Sequence, residues 1–123
     1  MKKLFTLLLI LITAGQFALA QNPTMNIEGT ASSIISKLDK SLQLSETQKP
    51  KLLTIVTNYL QQKSNIQSLK VTNEKAYKSK INSMQNGLNN RLKPLLSDIQ
   101  YTAFQDLKPT APDATNVLTQ LYY

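Results

Sequence analysis

The chain contains no cysteine, no histidine and no tryptophan. Without cysteine and histidine it lacks the usual nucleophile–base pairs, most zinc sites and thiol redox chemistry. It also has no disulfides to brace it, so its stability must come from packing. An aromatic content of only 7% implies a thin core, and self-association into a homodimer is the expected remedy. Acids are scarce as well. There are seven (Glu28, Asp39, Glu46, Glu74, Asp98, Asp106 and Asp113) against fourteen bases. Glu46, Glu74, Asp98 and Asp113 stand at or beside expected helix starts, where the macrodipole alone explains a carboxylate. No two carboxylates are placed by sequence for acid–base work, and there is no Gly-rich phosphate loop. The expectation is a protein that is not an enzyme and carries no cofactor or metal.

What is present begins with an export signal. Lys2 and Lys3 form a positive start, Leu4 to Ile12 is an almost unbroken apolar run, and Ala18-Leu19-Ala20 offers small residues at the positions a signal peptidase inspects. The expected cleavage before Gln21 assigns residues 1–20 to a signal peptide and leaves 103 residues, enough for one domain. The apolar run is shorter than the roughly 20 residues that span a bilayer, so no membrane anchor is expected after cleavage. Twelve bases and seven acids remain, a net charge of +5 with no Lys/Arg run. Export argues against nucleic acid as a partner, and the charge favours an acidic or amphiphilic one outside the cytoplasm.

Residues 21–29 lack periodicity and include Pro23 and Gly29, which reads as a flexible leader before a single helical domain over 30–123. From Thr30 the apolar spacing turns helical: Ala31, Ile34, Ile35, Leu38 and Leu42 fall within an arc of about 100°. Ser45 and Gln48 form a capping box, in which serine accepts from the backbone three residues on and glutamine reaches back. The helix they open is expected to be distorted at Pro50 and to run to about Lys70. Thr72 or Asn73 caps a third helix, whose stripe of Tyr77, Ile81, Met84, Leu88, Leu92 and Leu95 spans about 80°. Ser97 and Gln100 make a second capping box, opening a short helix with Ile99, Ala103, Phe104 and Leu107. Asp113 could cap a last turn or two. No segment alternates with period two, so the fold class is all-α, with about four amphipathic helices.

The placement of bases is the feature that caps and stripes do not absorb. Lys63 and Lys70 fall inside the apolar arc defined by Leu52, Val56, Tyr59 and Ile66, while Lys80 and Arg91 share one edge of the next stripe. Two readings follow. In one, long side chains snorkel from the margin of a bundle. In the other, Tyr59, Ile66, Lys63, Lys70, Lys80 and Arg91 form an exposed apolar and basic surface for a polypeptide partner.

Two copies of Leu-Ser-x-x-Gln (Leu44, Ser45 and Gln48, then Leu96, Ser97 and Gln100) each open a helix in a short exported chain. In this the sequence resembles the LTxxQ motif family of Spy- and CpxP-like periplasmic proteins, over about Thr30 to Leu107, with serine for threonine in both copies. The resemblance implies a helical hairpin that dimerises into a curved cradle. It also implies a function in the cell envelope: an ATP-independent holdase for unfolded or partly folded polypeptides. The alternative is a regulatory module that binds one folded envelope protein such as a stress-sensor domain. Metal-responsive relatives use His-rich segments, which are absent here.

Overall fold

The computed structural model describes residues 26–123. The expected signal peptide, and residues 21–25 of the expected leader, lie outside the described residues.

The first helix, α1, spans Ile27–Leu42, starting three residues earlier than the periodicity suggests. Asn26 sets this start, its Oδ1 accepting from the Gly29 amide at 3.1 Å. Glu28 complements the positive end. Gly29 therefore belongs to the first turn and does not interrupt it. A β-carbon at 29 would lie 2.7 Å from Asn26 Nδ2, so the missing side chain makes room for the cap. Residues 26–29 are thus helix and cap where the composition suggests a leader.

The chain leaves α1 through Gln43, a left-handed residue with φ of 54°. Helix α2 then runs from Gln48 to Asn65, after a turn at Glu46-Thr47. The expected continuation to Lys70 does not form. After Ser64-Asn65 the bonding tightens to residues three apart, Ile66 to Lys63, Gln67 to Ser64 and Leu69 to Ile66. Short polar side chains offer the backbone competing hydrogen bonds and weaken a helix at such a point. A four-residue helix α3, Leu69–Thr72, follows. Helix α4 spans Glu74–Leu95, capped by Asn73, whose Oδ1 accepts from Ala76 at 3.1 Å. Helix α5 spans Asp98–Asp106 and α6 spans Thr119–Tyr122. Asp113 turns the chain by accepting from the Thr115 amide and hydroxyl, so α6 begins six residues beyond it. Among the described residues there is no strand, and no described helix is long and apolar enough to cross a membrane.

Helix α2 is the axis of the fold. It packs against α1, α4 and α6, while α5 closes the gap between α1 and α4. The core takes Ala31, Ile34, Leu38 and Leu42 from α1 and Leu52, Val56, Tyr59 and Leu60 from α2. Leu88, Leu92 and Phe104 add to it, and Leu118 and Leu121 complete it from the C-terminal segment. Their spacing of three and four keeps one face of each helix in contact, and each fully buried aliphatic side chain contributes roughly 1.5–3 kcal/mol. The segment after Pro109, in which the sequence shows no extended periodicity, is therefore part of the core.

Candidate functional site

Three features could carry function: the corner built by the two motifs, and two grooves beside α2.

Both capping boxes close. Ser45 Oγ accepts from Gln48 N at 3.1 Å, and Gln48 Oε1 accepts from Ser45 N at 3.0 Å. Ser97 Oγ accepts from Gln100 N at 3.1 Å, and Gln100 Oε1 accepts from Ser97 N at 2.9 Å. Each glutamine's acceptor oxygen is thus oriented by its own serine, which leaves its amide nitrogen pointing outward. The two motifs use those nitrogens on each other. Gln48 Nε2 donates to Gln100 Oε1 at 2.8 Å and Gln100 Nε2 donates to Gln48 Oε1 at 3.0 Å. Gln48 Nε2 also donates to the carbonyl of Leu95, the last residue of α4. Gln100 Nε2 donates to that of Leu42, the last residue of α1. Each glutamine therefore opens its own helix, meets its counterpart and satisfies an orphan carbonyl at the end of the helix preceding the other motif. Leu44 and Leu96 are buried beside this corner. All six motif residues are engaged with the protein itself.

The first groove, about 200 Å³, lies between α2 and α4. Ile55, Met84 and Leu88 give it an apolar lining and Arg91 stands at its side. Gly87 borders it, and a β-carbon there would meet nothing within 4 Å among the described residues. Tyr59 also lines it, but is only 4% exposed, and its hydroxyl is buried without a hydrogen-bond partner among the described residues. Burial pushes this phenol up to about 12. Gln85 opposes that rise, while donating its amide to the Tyr122 carbonyl at 2.6 Å.

The second groove, about 360 Å³, lies where the end of α2 and the following turn meet α4 and the C-terminal segment. Lys63 and Lys70 line it, together with Tyr77 and Gln120. Lys63 is 5% exposed, the one buried charged residue among the described residues. Its Nζ donates to the Gln120 carbonyl at 3.0 Å and to Gln120 Oε1 at 3.2 Å. Burial, with a smaller contribution from the neighbouring Lys70 charge, pulls it down to about 8.

The six residues read as one contact surface are therefore divided. Tyr59 and Lys63 are buried and present almost no area to a partner, because the arc in which they lie is the core-facing side of α2. Tyr59 and Arg91 share the first groove, and Lys63 and Lys70 share the second. Lys70 is exposed, its Nζ 5.7 Å from the centre of the Tyr77 ring. Lys80 is exposed and Ile66 half-buried, and neither lines either groove. Among the described residues the ion pairs are Lys49 with Asp39 and Glu46, and Lys78 with Glu74. Lys70, Lys80 and Arg91 thus stand without a carboxylate partner. Missed from the sequence were the glutamine-to-glutamine brace, for which the duplicated motif was the only signal, and Gln120, for which there was none.

The chain matches no protein-family model, no curated protein and no solved structure.

Proposed function

We propose that the protein is an exported, ATP-independent holdase of the Spy-like kind, holding amphiphilic, acid-bearing polypeptide segments on the α2–α4 face. The observation that carries this reading is the open apolar groove beside Arg91, lined by Ile55, Met84 and Leu88, with no carboxylate in its lining among the described residues. A shallow groove of this size accepts one apolar side chain at a time, whatever its sequence. Exposed Lys70, Lys80 and Arg91 add attraction for the acids that keep unfolded chains soluble. Weak, exchangeable capture follows from both.

The test is suppression of aggregation of a refolding client, without nucleotide, by the purified protein. Suppression that weakens as salt rises, and that falls when Lys70, Lys80 and Arg91 are changed together to glutamine, supports the reading. The Debye length drops from about 10 Å at 0.1 M to about 3 Å at 1 M. No suppression at several-fold molar excess overturns it. A single stoichiometric crosslinked partner, in place of many clients, replaces it with a regulatory module for one envelope protein.

A further inference from the structure

The second groove presents an unusual charge arrangement. Lys63 is buried, and its only hydrogen-bond partners among the described residues are the two oxygens of Gln120. Those bonds take two of the three N–H donors of an ammonium and neutralise none of its charge. Among the described residues, no Asp or Glu lines the groove. The charged and titratable groups that do are Lys70, Tyr77 and Tyr123, and the main-chain carboxylate at Tyr123 forms no ion pair with Lys63 or Lys70. Lys70 makes the local potential more positive. Asp113, on the same segment as Gln120, spends its carboxylate on Thr115. A buried ammonium of this kind is costly unless a counter-charge meets it.

The geometry points to a carboxylate as the missing partner: we propose that this groove binds the carboxylate of a small organic acid or of an acidic side chain, on the third Lys63 N–H with Lys70 at the mouth. Ser64, which also lines the groove, has a hydroxyl with no hydrogen-bond partner among the described residues and supplies a second donor. A monoanion fits better than a phosphate dianion, because the lining offers a single buried cation and no guanidinium, with the second cation, Lys70, exposed at the mouth. The volume of about 360 Å³ falls in the range of small-molecule sites, which leaves room for an uncharged body behind the carboxylate. Lys63, pulled down to about 8, keeps its proton at neutral pH and can serve as the cation there. Binding of an anion would raise it again. This inference does not depend on the holdase reading, since it concerns a different groove.

The experiment follows the lysine side-chain resonances of the full chain while benzoate, benzyl alcohol, inorganic phosphate and an end-blocked glutamate-containing peptide are added in turn. A saturable shift at Lys63 with benzoate or the peptide, together with an upward move of the Lys63 titration midpoint, is the expected result. Whichever of the two binds more tightly identifies the source of the carboxylate. Lys63→Met should weaken binding about tenfold or more, and Lys70→Gln about two- to five-fold. Should Lys63→Met fail to fold, Lys70→Gln and the Lys63 midpoint still decide. An equal response to benzyl alcohol, tighter binding of phosphate, or no saturation by benzoate or peptide at tens of millimolar overturns the proposal.

Discussion

Lys63 should make the protein grow more stable as the solution becomes mildly alkaline, the reverse of the usual loss above neutrality. The unfolded chain holds the Lys63 proton up to the ordinary lysine value of 10.5, whereas the folded chain releases it at about 8. Between those values the unfolded state binds more protons, so unfolding free energy must rise with pH. At 1.36 kcal/mol per pH unit for one full proton, rounding near both ends leaves a gain of about 2 kcal/mol between pH 7 and about pH 9.5. Two tyrosines act in the opposite sense. Burial raises Tyr59 from 10.0 to about 12 and also raises Tyr122, so the folded state keeps protons that the unfolded state loses above pH 10. They take back a few tenths of a kcal/mol at about pH 9.5 and turn the curve downward beyond it. Chemical denaturation at a series of pH values, with linear extrapolation to water, measures the profile. Lys63→Met should abolish the rise and leave the tyrosine-driven fall. A wild-type profile that is flat between pH 7 and about pH 9.5 would refute the burial of a charged, unneutralised lysine.

Four further outcomes are expected. Gln48→Ala and Gln100→Ala should each destabilise the fold, and a double-mutant cycle should return a coupling of about 0.5–3 kcal/mol, because each removes the other's partner; a coupling of zero would mean the brace contributes nothing. Ser97→Ala should cost about 1 kcal/mol by thermal or denaturant unfolding, within roughly 0.5–2, and no loss would show that the box is idle. Gly87→Ala should stabilise by up to about 1 kcal/mol, since the added β-carbon meets nothing within 4 Å and an interior helical glycine is weak; a loss of stability would show that the groove closes. Tyr59→Phe, which removes a buried hydroxyl without a partner, should leave stability unchanged or raise it by about 1 kcal/mol, and a marked loss would reveal a bonded hydroxyl.

Features governed by neighbours within a turn or two were legible in the sequence. Within the apolar stripes, Ala31, Ile34, Leu38 and Leu42, and Tyr77, Leu88 and Leu92, are buried, while Ile35, Ile81, Met84 and Leu95 are half-buried. The serine–glutamine boxes and the Asn73 cap are likewise local. The end of α2 was less visible, because the apolar pattern continues through Ile66 and Leu69 while the backbone is already loosened at Ser64 and Asn65. Groups that meet across the fold were not legible at all. Gln48 and Gln100 are separated by 52 residues, and Lys63 and Gln120 by 57. Periodicity did place Lys63 inside the apolar arc. Whether that arc faced solvent or the core could not be settled without knowing that Leu118 and Leu121 come back to cover it.

The paired glutamines restrict chemistry more tightly than helix capping does. A capping box works with glutamate, which accepts a backbone N–H as well as glutamine does. At this corner glutamate would fail, since it has no nitrogen to offer Leu42 or Leu95 and would set a carboxylate against the other motif's amide oxygen. The two pentapeptides are in this sense a single element divided between distant parts of the chain. Grafted alone into another protein, either one would transfer only a helix start. To move the corner itself, a designer would have to carry both halves together with the helix ends they seal.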